Sequence, residues 1–147
     1  MDLYTIGYEG LSFNSFLRHL RRHHVMIVVD IRETPISRKK GFSKRVLQEE
    51  LVSKKMSYLH VKALGTPKYL REELKESKNY FRFFRQYNHL LSEKTKYVDQ
   101  IVKRMGDEIV ALVCFEKDPR KCHRSAVAQN IKKRSPLPIE IHHIQTA

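Results

Sequence analysis

IVALVCFEKDPRKCHR, residues 109 to 124, decides the fold of this chain. Ile109 to Phe115 is an unbroken apolar run of strand-forming residues, the pattern of a strand buried on both faces. Glu116 to Lys121 is charged except for Pro119 and cannot extend that strand. Cys122, His123 and Arg124 then open a helix-like stretch in which Ala126, Val127 and Ile131 recur at helical spacing. A thiol, an imidazole and a guanidinium thus stand side by side where a buried strand hands over to a helix. In α/β folds this is the edge at which ligands bind, because strand ends and helix N-termini converge there.

The same alternation runs through the rest of the chain. Leu3 to Ile6 predicts a first strand, ended by Gly7-Tyr8-Glu9-Gly10. Ser12 is placed to cap a helix carrying Phe13, Phe16, Leu17 and Leu20 on one face. Val25 to Ile31 predicts a second strand, and Ser43 a cap for the helix through Leu47 and Leu51. Ser57 to Val61 predicts a third strand, with Pro67 suited to the first turn of the helix that follows. Residues 79 to 105 read as helical with a break near Ser92. Phe81, Phe84, Tyr87, Leu90 and Leu91 form the apolar face of the first half, and Tyr97, Val98, Ile101, Val102 and Met105 that of the second. Gly106 suits the cap. A last strand is expected near Ile139 to Ile144.

Strands alternating with helices imply a single α/β domain over residues 1–147, with a mainly parallel five-stranded sheet flanked by helices. The expected Rossmann-like strand order is 3-2-1-4-5, with the topological switch between strands one and four. In such a sheet the segments after the first four strands emerge at one edge: GYEG, RETPISRKKGF, LGTP and EKDPRKCHR. These hold most of the glycines and prolines, the Cys-His-Arg run and the densest cations, and together they predict one shared pocket.

Composition narrows the class of partner. The chain has 147 residues, 41% of them hydrophobic, enough for one domain with a closed core. No apolar stretch approaches membrane-spanning length, and the N-terminal MDLYTIGYEG lacks the features of a signal peptide. Two cysteines without an export signal point to the cytoplasm. Lys and Arg number 29 against 16 Asp and Glu, a formal charge of +13, which favours nucleic acid or a phosphorylated small molecule as partner. The bland reading is a solvated basic surface. The densest cluster runs from Arg32 to Arg45, through Arg38, Lys39, Lys40 and Lys44, against the one acid Glu33.

Four groups of matching residues carry a resemblance: Thr5 to Gly10 (TIGYEG); Val28 to Arg32 (VVDIR) with Pro35, Ser37 and Gly41-Phe42-Ser43; Tyr58 to Pro67 (YLHVKALGTP); and Cys114, Glu116, Pro119 and Cys122-His123-Arg124. In these the chain resembles the domain of unknown function 488 family over nearly its full length. The resemblance implies a compact α/β domain with a shared polar site and supplies no substrate.

The candidate residues each carry a chemical and a structural reading. Cys122, at a helix N-terminus beside Arg124, is placed to have its thiolate favoured by dipole and cation, or simply to pack the junction. His123 is adjacent but need not be its base. Cys114, inside the apolar run, reads as core. Its Cys-x5-Arg spacing to Arg120 lacks the small residues of a phosphate-wrapping loop. Read as zinc ligands, Cys114, Cys122 and His123 lack a second Cys-x-x-Cys or His pair, and no metal or other cofactor is expected. Glu9 and Glu116 read as candidate acid–base groups, whereas Asp30 reads as the ion-pair partner of Arg32. Arg32, Arg38 and Arg124 are candidate phosphate-holding groups; Tyr8 and Phe42 offer faces for a base, with Gly10 in the first loop. Arg124 falls in a first helical turn, where a cation is disfavoured, so an anion is expected beside it: Glu116 or Glu9, or a ligand. The leading expectation is a hydrolase-like enzyme on a nucleotide or nucleic-acid substrate, with Cys122, His123, Glu116 and Glu9 supplying chemistry. The alternative is a non-catalytic binding module using the same pocket. A redox protein using Cys114 and Cys122 trails both, because Cys-x7-Cys matches no redox turn.

Overall fold

The computed structural model describes residues 1–146 and shows an α/β fold with one parallel sheet. In chain order its strands are β1 (Asp2–Gly7), β2 (Ile27–Asp30), β3 (Ser57–His60), β4 (Val110–Cys114) and β5 (Glu140–His143). The helices are α1 (Phe13–Arg22), α2 (Lys44–Ser53), α3 (Lys68–Ser77), α4 (Tyr80–Ser92), α5 (Thr95–Met105) and α6 (Arg124–Arg134), with 3-10 turns at Lys62–Leu64 and Pro119–Lys121. No helix among the described residues is long and apolar enough to cross a membrane.

Period-two alternation along the strands builds a core on each face of the sheet. Val110, Leu112 and Cys114 pack with residues of α3 to α6, among them Leu70, Tyr87, Ile101 and Val127. Ala111 and Val113 point the other way, into a cluster with Phe16, Leu20, Leu47 and Leu51 of α1 and α2. Every side chain of β4 is buried, as the unbroken apolar run requires.

The strand order is β3-β2-β4-β1-β5, not 3-2-1-4-5. β4 inserts between β2 and β1, and Val110 pairs with both Ile27 and Leu3. Burial could not distinguish the two orders, because β1, β2 and β4 are interior strands in both. Strands one and four remain neighbours, but the segment after β4 now lies beside those after both β1 and β2. The strand-end pairing runs on past the sheet: Tyr8 N donates to Cys114 O (3.1 Å), Glu9 N to Phe115 O (2.8 Å) and Ile31 N to Val113 O (3.2 Å).

Local expectations hold with a few displacements. The Ser12 hydroxyl accepts from Ser15 N at 3.1 Å and caps α1. Ser43 precedes α2, but its hydroxyl closes the preceding loop instead, accepting from Ser37 N and donating to Ser37 O. The break at Ser92 separates α4 from α5. In α4 the buried face is Phe83, Tyr87 and Leu91, whereas Phe81 is exposed. Aromatic residues at 81, 83 and 84 offer overlapping helical stripes, and packing against the sheet selects the one through Tyr87, whose hydroxyl donates to Leu64 O.

Gly7, the last residue of β1, lies directly under the loop that follows β4. A Cβ there would overlap the Glu116 carbonyl and stand 2.9 Å from an Arg124 guanidinium nitrogen. Gly106, at the end of α5, has an ordinary right-handed conformation with φ −62°. Gly7→Ala is therefore expected to cost at least ~3 kcal/mol in urea unfolding through backbone displacement, whereas Gly106→Ala stays within about 1 kcal/mol of the parent.

Candidate functional site

The segments after β1 to β4, roofed by α3 and the start of α4, enclose a cavity of about 810 Å³ at the C-terminal edge of the sheet. Its floor is Cys114, Glu116, Cys122 and His123. β4 delivers Cys114 as its last residue. The 3-10 turn at Pro119–Lys121, capped by Asp118 accepting from Arg120 N, folds the chain back to bring Cys122 and His123 beside it. α6 begins at Arg124, so His123 rather than Cys122 occupies its N-cap position.

Cys114, Cys122 and His123 are buried, and their sulfur and imidazole ligand atoms all lie within 4.8 Å of one another. The Cys114 sulfur is 3.6 Å from His123 Nδ1, and the Cys122 sulfur is 3.9 Å from it. The Cys114 thiol donates to Glu116 Oε2 at 3.2 Å. On the other side of the ring, His123 Nε2 lies 2.7 Å from the Ile31 carbonyl, which can only accept. That bond places a proton on Nε2 and turns Nδ1 toward the two sulfurs. It exists because β4 lies next to β2: in the expected order β1 would have separated Ile31 from His123.

The electrostatics separate these groups. Burial raises the Cys122 thiol, but the neighbouring Cys114 thiol and the charge and hydrogen bonding of His123, with Arg124 behind, outweigh it and hold Cys122 low. Burial and the Cys122 charge both push Cys114 up, so it stays a thiol. Burial opposes the imidazolium of His123, yet the Cys122 partner raises it above the usual range. Burial, then the Cys122 charge, raises the Glu116 carboxyl. The two thiols are thus shifted in opposite directions, beside a carboxyl shifted upward.

Several sequence-predicted ligand residues belong to the scaffold instead. Arg32 is 7% exposed and chelates Asp30, with Nε to Oδ1 at 2.9 Å and Nη2 to Oδ2 at 2.7 Å. Its Nη1 donates to Tyr8 Oη and to Phe42 O, so little of its fork is left for a phosphate even though it borders the cavity. Burial works against this charge, but Asp30 more than compensates and raises the guanidinium pKa. Tyr58 Oη also donates to Asp30, at 2.6 Å. Asp30 thus pairs with Arg32, as its structural reading expects.

Phe42 is fully buried and stacks on Tyr8 with centroids 4.3 Å apart, while Phe13 and Phe16 pack edge-on against it. An aromatic cluster closes over both rings, so Phe42 offers no face to a base, and Tyr8 reaches the cavity only as wall. Glu9 is exposed and spends its carboxylate accepting from Lys117 N (2.9 Å); Gly10 is an exposed turn residue at φ 82°. Neither borders the cavity; Glu9 instead ties the first loop to the one after β4.

Arg124 is 0% exposed and meets no carboxylate among the described residues. Its Nε donates to Thr5 Oγ1 (3.0 Å), Nη1 to Glu116 O and Nη2 to Lys117 O (3.2 Å). The anion expected beside it is replaced by two carbonyl dipoles, so Arg124 shapes the floor without touching the cavity. Of the predicted ligand groups, Arg38 alone is both exposed and on the cavity, with no hydrogen bond or ion pair among the described residues. The rest of its cationic cluster disperses: Lys39 Nζ donates to Tyr8 O, and Arg45 pairs with Glu49.

What the sequence did not single out is the roof. Arg71, Lys75 and Lys78 of α3 and its cap join Arg38 and Lys121 around the opening, with Leu74, Tyr80, Phe83, Ile36 and Phe115 as apolar walls. Arg71 is held by Glu33 at 3.3 Å and by Thr66 O at 3.2 Å. Gly65 makes this clamp possible, since a Cβ there would strike the Glu33 backbone. Lys78 holds a left-handed φ of 54°, a conformation glycine adopts with less strain. On α3 alone these lysines look like ordinary solvent-facing charges; only the packing of α3 over the sheet edge turns them to the cavity.

Two substitutions separate the scaffold from the site. Arg124→Lys keeps the charge but cannot reach three divergent acceptors, and is expected to cost about 2–4 kcal/mol in urea unfolding. Asp30→Ala, which strands a buried guanidinium, is expected to cost about 3–5 kcal/mol in the same measurement.

No curated protein and no solved structure matches the chain. A family model does: the one described as domain of unknown function DUF488 matches residues 12–131, from the cap of α1 through most of α6. That span takes in β2, β3, β4 and the whole floor of the cavity, and the chain is a member of the DUF488 family.

Proposed function

We propose that the protein is a hydrolase for a nucleotide or nucleic-acid substrate, held by phosphate at the cationic rim and cleaved at the Cys114–Glu116–Cys122–His123 floor. One observation carries this reading: the buried Cys114, Cys122 and His123, with the half-buried Glu116 beside them, and a ring of cations without ion-pair partners among the described residues face the same cavity. Arg38, Lys75, Lys78 and Lys121 are exposed side chains able to follow phosphate oxygens, while Phe115 and Tyr80 supply apolar and aromatic surface for a base. The cavity is of a size suited to a small-molecule ligand.

Hydrolysis at this floor needs a polarised water and a proton carrier. The sulfur–imidazole cluster supplies the charged pole beside which water is oriented. Glu116, on the loop pinned by Arg124, borders both the cluster and the cavity and transfers the proton to the leaving group. The two free, buried thiols suit a reducing compartment, and we place the protein in the cytoplasm.

Turnover and binding of nucleoside mono- and diphosphates and short oligonucleotides test the reading. Glu116→Gln is expected to lower kcat about 10²–10⁴-fold with little change in ligand dissociation constant. Lys75→Ala combined with Lys78→Ala should weaken binding about tenfold or more and flatten its salt dependence, as lost phosphate contacts do. Binding that is saturable but never accompanied by turnover would replace the hydrolase by a binding module. Failure of every phosphorylated ligand to bind would remove both.

A further inference from the structure

Cys114, Cys122 and His123 come from two places, the end of β4 and the junction before α6, and the fold brings their ligand atoms to one point. For zinc held by sulfur at ~2.3 Å and nitrogen at ~2.0–2.1 Å, a tetrahedral angle sets the sulfur–nitrogen edge at about 3.6 Å. The observed edges from His123 Nδ1 are 3.6 Å to Cys114 and 3.9 Å to Cys122. Both sulfur–nitrogen edges are therefore near the tetrahedral value, and the third edge, between the sulfurs, lies within 4.8 Å.

Three further features agree. His123 donates from Nε2 to the Ile31 carbonyl at 2.7 Å, the outer bond that fixes tautomer and ring plane in metal-binding histidines. Two thiolates and an imidazole are soft and borderline ligands that select zinc over magnesium or calcium. All three residues line the cavity, so the cluster borders the space a ligand would occupy. Chain spacing argues against a metal, because no further Cys or His pair completes a tetrahedron and the adjacent Cys122–His123 pair is poorly spaced for chelation; a water in the fourth position and the approach of Cys114 remove both objections.

We propose that Cys114, Cys122 and His123 bind a Zn²⁺ ion, leaving a fourth coordination position open to the cavity for water. On binding, the ion displaces the Cys114 thiol proton to solvent, and the two thiolates then offset the dication, which makes their joint burial tolerable. Glu116, with Oε2 3.2 Å from the Cys114 sulfur, flanks the open position. In the hydrolytic reading, on which this use of the ion rests, an O–H bond of the bound water breaks, the proton passes to Glu116, and hydroxide stays on the metal as nucleophile. Three protein ligands with one open position is the arrangement of catalytic rather than structural zinc.

The test uses the full chain, reduced and stripped of metal, titrated with Co²⁺ as a spectroscopic probe and then with Zn²⁺. Expected are stoichiometric binding, thiolate-to-cobalt charge-transfer absorption, the intense visible bands of tetrahedral cobalt, and their loss on adding Zn²⁺. Glu116→Gln keeps the spectrum; Cys114→Ser and Cys122→Ser each lose charge-transfer intensity. Because the unsubstituted protein is itself the main reading, poor folding of a variant does not shield the proposal. Absence of thiolate charge transfer in the folded, reduced protein overturns it, as does a spectrum unchanged in both cysteine variants. Zinc binding without turnover of any nucleotide would keep the metal site and remove the hydrolase. Turnover in protein shown to hold no metal would keep the hydrolase and remove the zinc.

Discussion

The buried guanidinium of Arg124 is the constraint on which the rest of the site depends. It sits in the first turn of α6, where the helix dipole opposes a cation, and it is wholly removed from solvent. The surroundings compensate with oriented dipoles rather than a counter-charge: the carbonyls of Glu116 and Lys117 and the hydroxyl of Thr5. The Thr5 hydroxyl, accepting from Arg124, lies 2.6 Å from His143 Nδ1 and so connects α6 through β1 to β5. Because Arg124 directly follows Cys122 and His123, fixing its head group also fixes where those two side chains emerge. Because it grips the Glu116 carbonyl, it fixes the carboxyl as well. Gly7 yields the space for this grip.

The protein divides its positive charge by burial. Arg32 and Arg124 lie inside and are held in place, one chiefly by a carboxylate and one by two carbonyls and a hydroxyl. Arg38, Lys75, Lys78 and Lys121 remain in water around the cavity opening. A buried guanidinium left without partners would be expensive, so it is committed to structure. A solvated lysine loses little by waiting for an anion. The reactive floor lies below, where low dielectric strengthens every interaction and the Cys122–His123 pair polarises.

Much of this was legible along the chain. Period-two and helical spacing placed the strands and helices, including the buried β4 and the break between α4 and α5. The apolar run followed by Glu116 and Cys122-His123-Arg124 marked the site, since a reactive trio at a strand–helix junction has few structural uses. The Asp30–Arg32 pair followed from a carboxylate at the end of an apolar strand next to a cation. The roles of Phe42, Arg124 and Glu9 were not legible. Residue type states what a side chain can do, and an arginine suited to phosphate is equally suited to two carbonyls.

The sequence by itself determined the α/β class, the parallel sheet and the edge at which chemistry gathers, because these follow from local periodicity and from the rule that parallel strands release their loops on one side. Only the tertiary structure decided the strand order, the α3 roof and the meeting of Cys114 with Cys122 and His123. Strand order is set by pairing between distant segments, and β1, β2 and β4 carry interior patterns that suit either arrangement. The insertion of β4 beside β2 is what brings the Ile31 carbonyl to His123 and turns the imidazole toward the sulfurs. Which cations face the cavity was settled in the same way, by the packing of α3 over a site floored from the end of β4, more than thirty residues away in the chain.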